Sequence, residues 1–267
     1  MKEEFLALIE RTLDEVLPKE GERPAELSAA MRYAVGAGGK RIRPLICLAS
    51  AVAVGGKAED ARYPAAAIEL IHNYTLVHED LPAMDNDTER RGKPSVWAKF
   101  GEANAILAGD ALQALAFGTA ANAPRNVAEI VAALGAAGVG VVQGQVEDIA
   151  RVAPSGSNVL DVPSVPDVPF IYEHKTADLF VAAATMGGYA GGGSAESIAA
   201  LGRFALNLGL AFQYEDDLLD GDSPYPREKT EALVRETTAA AIAALGELPG
   251  DTAFLKALAE KLVGRTV

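Results

Sequence analysis

The sequence predicts an all-α fold. Apolar residues recur every three or four positions along most of the chain, whereas the alternating pattern of β-strands is nearly absent. The 267 residues are 49% hydrophobic and 23% charged, which is enough for a large buried core. We therefore expect one helical domain spanning residues 1–267.

Five amphipathic stripes define the predicted helices. The first carries Phe5, Ile9, Leu13 and Val16, and the others cover residues 66–78, 103–121, 198–219 and 231–245. The segment 153–170 is rich in Ser, Pro, Val and Asp, which is typical of a surface loop. The sequence patterns before and after this loop belong together, so we do not interpret the loop as a linker between domains.

Charge and hydropathy narrow the class of protein. A net charge of -13 argues against nucleic-acid binding. The first five residues carry charges where a signal peptide has its apolar core, which predicts a cytoplasmic protein. The longest apolar run, 130–142, is shorter than the roughly 18 residues that span a bilayer, so we predict no transmembrane segment. The three glycines within that run favour a buried, closely packed helix.

The segment 78–94 joins an acidic cluster directly to a basic one, a pattern that suits metal ions bridging to a polyphosphate. Glu79 and Asp85 would lie about 240° apart on a continuous helix. Pro82 lies between them and can end or kink the helix, which returns Asp85 toward Glu79 and Asp80. Ligands with oxygen donors and no nearby cysteine favour Mg²⁺.

A second acidic cluster occupies residues 215–220. If the helix continues through it, Asp216 and Asp220 lie one turn apart and Asp217 lies beside them. Such carboxylates repel one another unless a divalent cation supplies positive charge. The alternative is a solvated helix end, but the apolar neighbours Phe212 and Leu218 indicate that part of this segment faces a core.

The segment 36–44 is rich in glycine and carries three cations, Lys40, Arg41 and Arg43. It lacks the Gly-Lys-Ser/Thr ending of a nucleotide P-loop, which excludes an ATPase of that type. Either it holds a diphosphate or it is a basic turn. The only cysteine, Cys47, has apolar neighbours and is predicted to be an inert core thiol.

These motifs together resemble the trans-isoprenyl diphosphate synthase (polyprenyl synthetase) family, and most closely the bacterial farnesyl diphosphate synthases. The resemblance runs through residues 38–44 (GGKRIRP), almost all of 69–117, 144–148 (GQVED), 174–176 (HKT) and 212–220 (FQYEDDLLD). The order of the five motifs matches the family, and the resemblance as a whole covers nearly the whole chain.

The resemblance implies the isoprenoid synthase fold, a helical bundle around a central active-site cavity. It implies a Mg²⁺-dependent prenyltransferase that condenses isopentenyl diphosphate with an allylic diphosphate. It further implies a homodimer, although a hetero-oligomer stays open.

The resemblance also assigns roles to individual residues. The implied metal ligands are Glu79, Asp80, Asp85, Asp216, Asp217 and Asp220. The implied catalytic residues are Asp80, Asp85, Arg90, Lys175, Thr176, Gln213 and Asp216. The implied residues for isopentenyl diphosphate are Lys40, Arg43, His72 and Arg91, and those lining the cavity are Gln145 and Asp148.

Tyr74 is a candidate for setting the product length. It precedes Glu79 by five residues, so on a helix it lies below the metal site, where the growing tail descends. A bulky ring there would stop the tail early. The resemblance to bacterial farnesyl diphosphate synthases, which carry an aromatic residue here, implies a C15 product, farnesyl diphosphate, or C10 if the pocket is shallower. The alternative is ordinary core packing.

Three positions depart from the family pattern. Glu79 replaces the usual first aspartate, the lid segment after Asp220 is short and lacks its lysine, and Asp178 adds a carboxylate expected near an anionic substrate. Lys229 is either a substitute for the lid lysine or a surface lysine. Two other functions therefore stay open: a lyase or cyclase-like relative that only ionises a prenyl diphosphate, and a non-catalytic or regulatory subunit.

Overall fold

A computed structural model describes residues 1–152, 167–221 and 223–263, and it confirms the all-α prediction. The twelve α-helices of these ranges are α1 Lys2–Val16, α2 Ala25–Gly36, α3 Ile42–Ala53, α4 Arg62–Glu79, α5 Val96–Phe100, α6 Glu102–Ala120, α7 Val127–Val152, α8 Val168–Ile171, α9 Asp178–Gly191, α10 Ala195–Asp220, α11 Arg227–Leu245 and α12 Ala253–Val263. A 3₁₀ turn, Ala58–Ala61, precedes α4, and a π-helical turn, Tyr172–Ala177, joins α8 to α9. The strands β1 Glu89–Arg90 and β2 Lys93–Pro94 form one antiparallel hairpin.

The predicted helices are confirmed. The five stripes fall within α1, α4, α6, α10 and α11. The predicted loop 153–170 ends too late, because α8 begins at Val168 and Asp167 caps it by accepting a hydrogen bond from the Phe170 amide. The rest of that prediction, residues 153–166, lies outside the described residues.

The core forms where α3 and α9 cross. Helix α3 is apolar almost all round, so nine of its residues are buried. Gly187 of α9 lies directly against the backbone carbonyl of Cys47, where a β-carbon would collide. This close approach confirms Cys47 as a core residue, and burial raises the pKa of its thiol, which keeps it unreactive.

Helix α7 corrects one prediction. The helical segment 127–149 is long and apolar enough to cross a bilayer by length and composition, yet 39% of it is buried inside the protein. One face packs on α9 and the π-helical turn, as the glycines predicted. The opposite face is open, with exposed fractions of 60% for Val139, 51% for Val142 and 61% for Val146. The expectation of a wholly buried helix is wrong.

Arg41 is a structural cation. Its guanidinium donates to Glu10 at 2.7 Å, to Glu69 at 2.8 Å and to the Val35 carbonyl at 2.9 Å. The side chains of Arg41 and Glu69 are only 5% and 3% exposed, so this ion pair ties the start of α3 to α4 inside the core. Of the three cations in residues 36–44, Arg41 therefore stabilises the core, and the question of a diphosphate concerns Lys40 and Arg43.

We expect Arg41→Gln to lower the free energy of unfolding by about 3–5 kcal/mol, because it leaves the buried Glu69 carboxylate without its counter-ion. The matched control is Arg62→Gln, which breaks an ion pair with Glu15 whose carboxylate is 46% exposed, so this variant should lose much less stability than Arg41→Gln. Denaturant unfolding of both variants makes the comparison. Equal losses would contradict the structural role of Arg41.

Candidate metal and diphosphate site

The first acidic cluster lies where α4 ends. Helix α4 stops at Glu79, and the following turn, which contains Pro82, reverses the chain so that the Asp85 amide donates to the Glu79 carbonyl at 3.0 Å. This confirms the predicted return of Asp85 toward Glu79. The helix ends before the proline because the residues that precede a proline disfavour helical geometry.

The β-hairpin directs Arg90 at these carboxylates. Its two-residue turn, Arg91 and Gly92, has positive φ at both positions, the geometry of the tightest hairpin turns. Arg90 Nε donates to Asp80 Oδ1 at 2.7 Å, and its second nitrogen donates to Glu79 Oε2 at 3.1 Å. The basic part of the motif thus folds back on the acidic part.

Lys175 connects this cluster to α7. It lies in the π-helical turn, a local widening of a helix that is frequent at functional sites. Its ammonium group is 2.6 Å from Asp148 Oδ2 and 3.2 Å from Glu79 Oε1. Gly144 of α7 allows this approach, since a β-carbon there would collide with the Lys175 backbone.

The second acidic cluster faces the same space from α10. Gln213 Nε2 donates to Asp217 Oδ1 at 3.0 Å, and the Thr176 hydroxyl donates to Gln213 Oε1 at 2.8 Å. The Tyr172 hydroxyl donates to the other oxygen of Asp217. A cavity of about 200 Å³ lies between the elements and is lined by Asp148, Ile171, Tyr172, Lys175, Thr176, Gln213 and Asp217.

The remaining predicted cations form a basic subsite beside α4. Arg43 contacts His72 Nε2 at 3.4 Å and lies over the Phe180 ring at 4.9 Å, while its Nε is buried without a hydrogen-bond partner. Burial lowers the pKa of Arg43 to about 10, and burial followed by the Arg43 charge lowers the pKa of His72. Arg91 closes the subsite by donating to the Gly38 carbonyl. Arg43 Nε is thus a buried donor that lacks an acceptor among the described residues, and other basic side chains lie beside it. Both features fit the binding of an anionic ligand.

The acidic residues fit a divalent ion by their chemistry. Burial raises the pKa of Asp80 and of Asp85, and the charge of Glu79 raises that of Asp85 further, so the nearby cations only partly offset the cost of keeping both carboxylates ionised. In the described part of the chain, no three His, Cys, Asp or Glu side chains are grouped closely enough to hold an ion. A hard divalent cation held here would therefore take further oxygen ligands from a bound diphosphate.

Other predicted site residues are placed less directly. Lys40 is exposed, Gln145 has a buried amide nitrogen without a partner among the described atoms, and Asp220 ends α10 in an exposed position. The extra carboxylate of Asp178 bonds His174 at 2.8 Å and is not among the described residues that line the cavity, so its effect on a bound substrate stays a prediction. Lys229 lies over the Tyr225 ring at 4.2 Å, as a surface lysine.

Sequence reasoning missed Tyr172. Its ring is 5% exposed and its hydroxyl reaches Asp217 across two elements. The spacing could have indicated Tyr172, because residues four apart lie on the same face of a helix. Tyr172 precedes Thr176 by four residues, and both line the cavity.

Comparison with known proteins assigns the family. The Polyprenyl synthetase family model matches residues 24–247, so the chain belongs to the polyprenyl synthetase family. Its fold is similar to that of an FPP/GFPP synthase from Zymomonas mobilis, with a TM-score of 0.85, 34% identity and coverage of 99% of this chain and 100% of that one. A geranyltransferase from Legionella pneumophila gives a TM-score of 0.87 at 31% identity over 99% of this chain and 96% of that one.

The curated relatives are longer than this chain. It is 43% identical over 224 residues to the "Heterodimeric geranylgeranyl pyrophosphate synthase large subunit 1, chloroplastic" of Arabidopsis thaliana, a match that covers 80% of this chain and 58% of that protein. The "Geranylgeranyl pyrophosphate synthase 4" of the same organism is 42% identical and is covered to 57%. The chain thus spans less than two thirds of the length of these relatives.

We expect Arg43→Gln to weaken the binding of inorganic diphosphate about tenfold or more, because a charge-assisted hydrogen bond is worth about 1.5–3 kcal/mol. The variant also loses the Arg43 contacts with His72 and with the Phe180 ring, so its unfolding temperature is measured beside the affinity. Titration calorimetry measures the affinity. Arg203→Gln, which removes an exposed arginine of α10 that is paired with Glu247, serves as the control. Unchanged affinity in Arg43→Gln would contradict the basic subsite.

Proposed function

We propose that this protein is a Mg²⁺-dependent prenyltransferase that condenses isopentenyl diphosphate with an allylic diphosphate. The observation that carries the proposal is the coexistence of two anion-holding regions. One lies between Arg90, Lys175 and the acidic residues, and the other lies around Arg43, His72 and Arg91. A condensation of two diphosphates needs a place for each.

The allylic diphosphate would bind next to Arg90 and Lys175. Mg²⁺ held by the carboxylates would neutralise part of the diphosphate charge and make the diphosphate a better leaving group. Glu79, Asp80 and Asp85 would bind the Mg²⁺ ions from one side of the cavity, and Asp216 and Asp220 would bind them from the other. Arg90 and Lys175 would stabilise the charge on the departing oxygen. The carbon–oxygen bond breaks with its electron pair on the diphosphate, leaving an allylic cation in the cavity beside Thr176.

The second substrate would lie with its diphosphate against Arg43, His72 and Arg91. Its double bond supplies the electron pair that forms the new carbon–carbon bond, and a proton is then lost to restore a double bond. The depressed pKa of His72 leaves its imidazole neutral near pH 7, so Arg43 can donate to it while keeping Nε for the ligand.

Two alternative functions receive less support. A lyase or cyclase-like relative has no use for a second diphosphate site, yet Arg43, His72 and Arg91 are placed together. A non-catalytic subunit has no use for the alignment of Thr176, Gln213 and Lys175 around one cavity.

The activity is tested by offering the purified chain Mg²⁺, isopentenyl diphosphate and dimethylallyl, geranyl or farnesyl diphosphate in turn. We expect longer prenyl diphosphates, resolved by chromatography. Hydrocarbons or alcohols would favour the lyase, and no product from the chain alone would favour the non-catalytic subunit.

We propose farnesyl diphosphate as the main product because Tyr74 closes the space below Glu79. Tyr74 is 5% exposed, and its ring packs edge-on against His78 at 5.7 Å. Gly109 of α6 lies directly against the His78 ring, which fills the space between the two helices at that level. The named relatives include geranylgeranyl pyrophosphate synthases, whose product is C20, so a longer product is the alternative. The side chain at position 74 would decide between the two lengths.

We expect Tyr74→Ala to shift the product from C15 toward C20 or longer, because it removes a ring from the path of the tail. Tyr63→Ala is the matched control: Tyr63 belongs to the first turn of the same helix, where its hydroxyl bonds Glu15 at 2.8 Å. Product analysis by mass spectrometry decides. An unchanged product length in Tyr74→Ala would defeat the assignment.

We propose a homodimer, because α6 and α7 both expose large apolar side chains. The set is Ile106, Leu107, Val139, Val142, Val146 and Ile149, each at least 40% exposed. We expect Val142→Asp to give a monomer by light scattering, whereas Ala199→Asp on the exposed face of α10 should leave the dimer intact. A monomeric unsubstituted protein would contradict the homodimer.

A further inference from the structure

Asp217 differs from its neighbours in the second acidic cluster. It is 6% exposed, whereas Asp216 is half-buried and Asp220 is exposed. Both of its carboxylate oxygens accept hydrogen bonds, one from Tyr172 and one from Gln213. A buried carboxylate with a donor on each oxygen is stabilised without a cation.

The hydrogen bond to Asp217 fixes the orientation of Gln213. A carboxylate only accepts, so the amide nitrogen of Gln213 has to face Asp217, and its carbonyl oxygen has to face Thr176. That carbonyl in turn only accepts. Thr176 must therefore donate its single hydroxyl proton to Gln213, at 2.8 Å.

The direction of this chain of hydrogen bonds has a consequence in the cavity. With its proton committed to Gln213, Thr176 presents only lone pairs to the remaining space. Thr176 and Lys175 are adjacent in the π-helical turn, and both line the same cavity. An oxygen that presents lone pairs stabilises positive charge on carbon, and a hydroxyl proton in the same place would oppose it.

We propose that Tyr172 and Asp217 are positioning residues that set the hydrogen-bond direction through Gln213, so that Thr176 turns a lone pair toward the developing cation. Tyr172 keeps Asp217 in place from the π-helical turn, and Asp217 acts through Gln213 instead of holding a metal ion. The inference rests on the proposed prenyltransferase reaction, and it removes Asp217 from the six metal ligands that the family resemblance implies.

Measuring the binding of diphosphate with Mg²⁺ distinguishes whether Asp217 is a positioning residue or a metal ligand. Titration calorimetry with inorganic diphosphate and Mg²⁺ should show Asp217→Asn binding within about twofold of the unsubstituted protein, whereas Asp216→Asn should weaken binding about tenfold or more. Equal weakening in both variants would overturn the proposal. This arm does not depend on turnover, so it remains decisive even if the unsubstituted protein forms no product, a result that would defeat the proposed function alone.

Kinetics test Tyr172 itself. Tyr172→Phe should lower kcat about tenfold while KM for both diphosphates and the unfolding temperature stay unchanged. Tyr214→Phe removes a hydroxyl from the neighbouring ring, 5.5 Å away, and should leave kcat unchanged. Tyr172→Phe should also add little to the loss in Thr176→Val, because both act through one hydroxyl. Normal kcat in Tyr172→Phe, or fully additive losses, would contradict the role of Tyr172.

Discussion

The balance of charge around Lys175 is the constraint on which the rest of the site depends. Its ammonium group lies between Asp148 of α7 and Glu79 of α4, while its own π-helical turn packs on α10. Carboxylates gathered from separate helices repel one another unless cations lie between them. Arg90 and Lys175 supply that charge at the end of α4, and Lys175 also supplies it to Asp148 of α7.

Glu79 illustrates how this balance accommodates a departure from the family pattern. The usual residue is aspartate, one methylene shorter. The longer side chain reaches Arg90 with one oxygen, at 3.1 Å, and Lys175 with the other, at 3.2 Å. Glu79 therefore bridges the two cations that the allylic diphosphate would engage, and the substrate would take over one or both of these contacts on binding.

The sequence predicted the features that depend on local patterns. Helical stripes placed α1, α4, α6, α10 and α11, and the position of Pro82 predicted the return of Asp85 to Glu79, because both follow from spacing and backbone sterics. Features that depend on which neighbour a side chain meets were not predictable in this way. Arg41 and Arg43 are arginines of the same basic segment, yet of the two only Arg41 forms ion pairs within the described part of the chain, with one carboxylate on α1 and one on α4.

Tertiary contacts also decided the directions of Asp178 and Tyr172. Asp178 turns toward α7 because Gly140 leaves space there and His174 supplies a donor. Tyr172 meets Asp217 only because the π-helical turn packs on α10. The open face of α7 was not predicted for the same reason. An apolar run has the same sequence pattern whether it packs within its own chain or against a second copy.

The central claim is that the two acidic walls form one metal and diphosphate site, and a double-mutant cycle tests it most directly. Calorimetry would compare Mg²⁺-dependent binding of inorganic diphosphate in Asp80→Asn, Asp216→Asn and the double variant. One shared site predicts that each single change weakens binding about tenfold or more and that the double variant loses clearly less than the sum of the two free-energy changes. Strictly additive losses, or binding that ignores Mg²⁺, would contradict the account.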